Sequence, residues 1–232
     1  MSITSTNNVN IEAELTELLA KLGPQLTTLN LCVWTGGDKT VEAISQCTAL
    51  ETLTLNGRSP MRHIDFSLEK SLAPLAKCTK LKNVRLILKN HSKQLLDKAA
   101  QHLAKVETLE LEGLLIDDAA LANLAGLASL AFLDIVSPSM TDAGLSGLIS
   151  KLPALTFLRV NEQGSGKVGV STLDAYAGMA RQRLQTPMEA VFTEAAKIDL
   201  ETRKSSFSPN LTVSVRNSAH FLCFPGNTPR GF

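Results

Sequence analysis

Chemistry in this chain of 232 residues would have to come from a few polar clusters. Gly164-Ser-Gly-Lys-Val168 is the most suggestive, because a glycine-rich turn ending in lysine can wrap a phosphate with its backbone N–H groups. A complete phosphate loop reads G-x-x-x-x-G-K-[ST], with the final hydroxyl on magnesium. Here Asn161 stands at the first glycine position and Val168 at the hydroxyl position. Two defining groups are missing, so no nucleotide cofactor is expected. Gly37-Asp-Lys-Thr40 departs further. His220-x-x-Cys223 offers an imidazole and a thiol as a nucleophilic pair or as two metal ligands. A metal centre takes three or four ligands, and no second cluster lies near it, so a structural cysteine beside a cap or surface histidine is the plainer reading. His63 and Asp65 sit together without a nucleophile. Asn210-Leu-Thr212 fits a glycosylation acceptor, which matters only in a secreted chain. Catalytic, cofactor and metal sites are therefore all expected to be absent.

Composition points the same way. Hydrophobic residues make up 44% and charged residues 19%, ordinary for a globular protein with a sizeable core. A net charge of +1 provides no general attraction for nucleic acid or an anionic membrane. No stretch approaches the roughly 18 apolar residues of a membrane span. Met1–Asn10 lacks the basic start and apolar run of a signal peptide. The cysteines Cys32, Cys47, Cys78 and Cys223 have no zinc-like spacing, which suits reduced thiols and a cytoplasmic setting.

The elements that must position any site are set by one recurring line, aliphatic-x-x-aliphatic-x-aliphatic. It appears as Leu26–Leu31, Leu50–Leu55, Leu81–Leu86, Val106–Leu111, Leu130–Ile135 and Leu155–Val160. The intervals between starts are 24, 31, 25, 24 and 25 residues. Leu-rich and Ala-rich segments with helical spacing fill the gaps, such as Leu121-x-x-Leu124-x-x-Leu127. A short strand signal followed by a helical one, at a fixed period in this range, marks a solenoid. Side chains alternate along a strand, so the last two aliphatics of each line face the core. Helical crossovers oblige successive strands to run parallel and favour a right-handed coil.

The lines resemble the leucine-rich repeat family over about residues 26–160. Cys47 and Cys78, each three residues before its line, make the resemblance nearest to the ribonuclease-inhibitor-like, cysteine-containing type. Met140-Thr-Asp-Ala-Gly-Leu145 and Ile116-Asp-Asp-Ala-Ala-Leu121 look like the family's descent into the outer helix. The resemblance implies an α/β right-handed horseshoe solenoid with a parallel inner sheet and outer helices. One departure is plain: the family's Asn or Cys, eight residues after the first leucine, is replaced by Trp34, Arg58, Lys89, Leu114, Pro138 and Gln163. An irregular inner hydrogen-bond ladder is the expected consequence. Some bacterial repeat proteins carry a ligase domain with a catalytic cysteine, but the region after the repeats is too short for one.

Three regions follow. Residues 1–25 form an N-terminal cap: a loose lead-in, then a helix with Ile11, Leu15, Leu18, Leu19 and Leu22 on one face, Asn10 as N-cap and Gly23-Pro24 as the stop. Residues 26–162 are about six repeats, with an insertion around Arg58–Phe66 on a loop of one rim. Residues 163–232 are a C-terminal cap. It is predicted to contain a helix near Ser171–Leu184, a second helix from Pro187 with Met188, Val191, Phe192, Ala195 and Ile198 inward, and a strand at Leu211–Val215. Gly226–Phe232 should fray.

The inner wall is the default binding surface of a solenoid. Its central row reads Asn30, Thr54, Arg85, Glu110, Asp134 and Arg159, and a neighbouring row ends in Phe132 and Phe157. An outer row of the same wall reads Thr27, Glu51, Lys82, Glu107, Ala131 and Thr156. Paired aromatics flanked by an acid and an arginine have the make-up of a binding hot spot. Phe132, Phe157, Asp134, Arg159, Glu110 and Arg85 are accordingly the candidate partner-binding residues. The alternative is that the C-terminal segment folds back over them. The function expected is non-enzymatic protein recognition by an adaptor, scaffold or effector, the last placing it in a host cytosol. Two other classes stand beside it: a structural subunit of a large assembly, and an enzyme or regulatory subunit using the segment around His220 and Cys223. The partner is another protein rather than nucleic acid or membrane.

Overall fold

The structure is a computed structural model that describes residues 2–5, 12–32, 37–57, 67–88, 90–113, 115–161, 168–193 and 198–216. Its first strands in chain order are β1 (Ser2–Ser5), β2 (Thr28–Cys32), β3 (Thr52–Asn56), β4 (Ser67–Leu68), β5 (Asn83–Ile87) and β6 (Asn90–His91). They are followed by β7 (Thr108–Glu112), β8 (Phe132–Val136), β9 (Phe157–Asn161), β10 (Met188–Thr193) and β11 (Leu211–Arg216). Nine of these make one sheet in the order β1-β2-β3-β5-β7-β8-β9-β10-β11, and β4 pairs with β6 in a separate two-stranded sheet. All pairings are parallel.

Each of the six aliphatic lines contains one strand, and the strands stack without slippage. Leu29, Leu53, Val84, Leu109, Leu133 and Leu158 are cross-strand partners in one row. Leu31, Leu55, Leu86, Leu111, Ile135 and Val160 form the next. Both rows are buried in a single core. A one-residue slip would turn a whole row to water, so burial fixes the register. The strand entrances repeat a shared-acceptor pattern. The Thr27 carbonyl accepts from the N–H groups of Glu51 and Thr52, and Glu51, Lys82, Glu107 and Ala131 repeat it with the next strand. The fold is a leucine-rich-repeat solenoid.

The outer layer is thin because a repeat of about 25 residues leaves few for a helix. It comprises α1 (Glu12–Leu22), α2 (Asp38–Ile44), a 3-10 turn at Ala73–Lys77, α3 (Ala99–His102), α4 (Asp118–Ala122), α5 (Asp142–Ile149) and α6 (Val170–Gln182). A last short helix, α7 (Leu200–Arg203), precedes β11. Adjacent repeats are tied by carboxylates in the first turns of these helices. Asp38 accepts from the N–H groups of Glu69 and Lys70, and Asp118 accepts from Thr141 N–H and O–H. Asp142 accepts from Gly169, Ser171 and Thr172 at 2.8–3.0 Å. It supplies in trans the cap that Gly169, lacking a side chain, cannot give α6.

Four expectations need correction. The lead-in before the first helix is not loose throughout: Ser2–Ser5 pairs with β2 from Ser2↔Thr28 to Ser5↔Leu31, because the open edge of a sheet recruits any extended chain beside it. In α1, Leu15 and Leu19 are buried but Leu18 is exposed, so the apolar stripe is narrower than read; Asn10 and Ile11 lie outside the described residues. The predicted second C-terminal helix starts as a strand. Met188, Ala190 and Phe192 turn to the core while Glu189 and Val191 align with Phe157 and Arg159. Short apolar runs are ambiguous between helix and strand, and the unpaired edge of β9 decided in favour of the strand.

The inner ladder, expected to be irregular, is regular where described. The N–H groups of Gly57, Leu88, Gly113 and Ser137, each just past a strand, donate to Ile87, Glu112, Val136 and Asn161 of the next. Buried Ser137 does locally what the family's Asn would do: its hydroxyl donates to Ile116 O at 2.9 Å and accepts from Ser139 N at 3.2 Å. Of the substituted positions, Trp34, Arg58, Lys89, Leu114 and Gln163 lie outside the described residues, as does the insertion at 58–66. The helix near Ser171 and the strand at Leu211 form as read, and β11 pairs with β10 at the end of the sheet. Tyr176, fully buried, donates its O–H to Glu189 O at 3.0 Å and so pins α6 to β10.

Candidate protein-binding wall

The six candidate residues converge on four neighbouring strands. Arg85, Glu110, Asp134 and Arg159 are consecutive cross-strand partners on β5, β7, β8 and β9. Phe132 and Phe157 are partners one step earlier on β8 and β9. The two rings stack face to face, 4.3 Å between centroids and 2° from parallel. Each is half-buried. They stand on the opposite side of the sheet from Leu133 and Leu158, which enter the core.

Next to the rings lies a charged row in the order cation, anion, anion, cation. Arg85 pairs with Glu110 at 3.0 Å, and Arg159 makes a close pair and hydrogen bond with Asp134. Asp134 is only 5% exposed. For Glu110, burial pushes the carboxyl upward, Arg85 and Arg159 pull it down, Asp134 pushes it up again, and the net shift is upward. Burial opposes the charge of Arg159, but the hydrogen bond and charge of Asp134 outweigh it, aided by Glu110. At the strand entrances Lys82 and Glu107 form an exposed pair at 3.3 Å, which contributes little to stability.

Sequence reasoning missed part of this wall. Reading β10 as a helix hid Glu189 beside Phe157 and Val191 beside Arg159. The available signal was the alternation of Ala190 and Phe192 at the spacing of Leu158 and Val160. A further row, Ile87, Glu112, Val136 and Asn161, completes the exits of the strands.

The chemistry-bearing clusters divide differently. His63, Asp65, His220, Cys223 and residues 162–167 of the glycine-rich turn lie outside the described residues, as do residues 217–232, the end of the chain that the fold-back alternative would lay over the wall. Cys47 and Cys78 are buried, and burial raises their thiols to about 11 and about 12, with Cys47 adding to the shift at Cys78. Thiols so raised are poor nucleophiles. The Asn210 amide of the acceptor motif donates to the carbonyls of Ala180, Arg183 and Thr186 at 2.8–3.2 Å, closing the end of α6. Among the described residues no group of three metal-ligating side chains forms, and no helix is long and apolar enough to cross a membrane.

No family model matches this chain, and no curated protein matches it. Among solved structures it is similar to an internalin (inlF) from Listeria monocytogenes, with 16% identity and a TM-score of 0.45. The match covers 84% of this chain and 62% of that one, so the chain spans less than two thirds of that structure.

Proposed function

We propose that the protein is a non-enzymatic recognition module whose strand-side wall binds another protein, in the role of an adaptor, scaffold or effector. The observation that carries this reading is the stacked Phe132–Phe157 pair, half-exposed on the wall and bordered by the Arg85-Glu110-Asp134-Arg159 row. Two large rings held in place by neighbouring strands give contact area at little entropic cost on binding, and the charged row gives register and specificity. The mixed signs suit a polar protein surface better than a nucleic-acid backbone. Assignment to the cysteine-containing repeat type, and a cytoplasmic or host-cytosol location, belong to the same proposal and rest on the placement of Cys47 and Cys78.

The test compares wild type with a Phe132→Ala/Phe157→Ala double variant in affinity capture from the native source, read by mass spectrometry. The expected result is loss of one or more partners with the circular dichroism spectrum retained. The rings stand outside the leucine core, and their mutual stacking contributes about 1 kcal/mol of the stability that the variant loses. An unchanged capture profile, or a large fall in melting temperature, would overturn the reading.

A further inference from the structure

The two carboxyls at the centre of the charged row pose a problem that their arginines only half solve. Glu110 and Asp134 are direct partners on adjacent parallel strands, and strand neighbours lie about 4.8 Å apart. Asp134 is 95% buried, its Oδ2 engaged by Arg159, while its Oδ1 is buried with no hydrogen-bond donor. A buried acceptor without a donor is destabilising, because its desolvation is not compensated. The groups facing Glu110 are Arg85 from β5 and Asp134 and Arg159 from the other side, with Glu112 further along its own strand. Arg85 favours the charged form of Glu110, but its side chain remains 38% exposed and keeps part of its hydration. A protonated Glu110 would supply the donor that Asp134 lacks and remove a charge from beside it.

We propose that Glu110 binds a proton and donates its O–H to Asp134 Oδ1, forming a proton-binding site at the centre of the wall. The upward shift of the Glu110 carboxyl by burial and by Asp134 agrees with this arrangement. A neighbouring carboxylate disfavours the charged form of Glu110. With both ionised, the row of two arginines and two carboxylates sums to zero; with the proton bound it carries +1, and Arg85 loses its ionic partner. Mild acid thus changes the sign pattern of the wall without moving a strand. That this alters partner binding rests on the recognition reading above, whereas the proton site itself does not.

A carboxyl raised in the folded state penalises folding above its folded value, and the penalty vanishes below the unfolded glutamate value of about 4.3. Carboxyl NMR of 13C-glutamate protein should follow Glu110 through a titration, against the ordinary glutamate value of about 4.3. Glu110 is expected to hold its proton to higher pH than that value and to fall back toward it in Asp134→Asn. Thermal melts at neutral pH form the second arm. Glu110→Gln keeps an N–H donor for Asp134 and should melt above both wild type and Glu110→Leu, the gain over wild type vanishing in acid. Titration of Glu110 at the ordinary glutamate value, no response to Asp134→Asn, or Glu110→Leu melting as high as Glu110→Gln would each overturn the proposal. Because none of these readouts involves a partner, failure of the recognition reading leaves them intact.

Discussion

Gly144 shows how a single missing side chain can hold two repeats together. A Cβ placed there would lie 2.2 Å from the carboxyl of Asp118, the group that receives Thr141 N–H at 2.8 Å and Thr141 O–H at 2.6 Å. Gly147, in the same helix, has nothing within 4 Å of the equivalent point. Gly144→Ala should therefore break the α4–α5 tie and destabilise by about 1–3 kcal/mol. Gly147→Ala should stabilise by up to about 1 kcal/mol through helix propensity alone. Urea melts of the two variants check the contrast, and equal effects would deny the carboxylate tie. Asp142 extends the logic to pH. Burial works against its charge, but hydrogen bonds from Thr172, Gly169 and Ser171 outweigh burial and hold the carboxyl below the ordinary aspartate range. Its stabilising contribution is then complete above the unfolded aspartate value, about 3.9, and is lost as pH falls below it. Asp142→Asn should lower the melting temperature at pH 7, and the deficit should shrink in acid. A deficit constant with pH would show that charge plays no part.

At the scale of elements, the C-terminal strands decide where the wall ends. β10 caps the backbone groups of β9, is pinned by the Tyr176 hydroxyl, and is capped in turn by β11. A chain terminated after Thr186 would leave the edge of β9 open, with the N–H and C=O groups that β10 satisfies facing solvent. Open parallel edges template association. The expected outcome is a folded but self-associating protein, seen as a rise in scattered-light mass against the full chain. A stable monomer of the truncated chain would show that β10 does not protect the edge.

Over the whole molecule, every strand pairs only with its sheet neighbours, so stability is a sum of repeats and the interfaces between them. Leu133 lies fully buried in the middle of the sheet. Leu133→Ala is expected to cost about 2–5 kcal/mol. Hydrogen exchange should quicken in β7, β8 and β9 before it does in β2 and β3. Uniform acceleration across the sheet would instead mean that the solenoid unfolds as one unit.

The amino-acid sequence by itself determined the six repeats, because the leucine spacing is the burial pattern of the core and admits one register. For the same reason it placed Arg85, Glu110, Asp134 and Arg159 in one row and Phe132 beside Phe157. Local pattern failed where the deciding partner was distant in sequence. Ser2–Ser5 and Met188–Thr193 become strands because β2 and β9 present unpaired edges; the alternation of Ala190 and Phe192 hints at the second, but only the distant edge decides between strand and helix. The tertiary structure alone decided which polar groups meet across repeats: Asp118 with Thr141, Asp142 with the start of α6, Ser137 with Ile116. Hydrogen bonds depend on positions held to a fraction of an ångström, which spacing does not convey. Burial needs only the right face, which spacing conveys well.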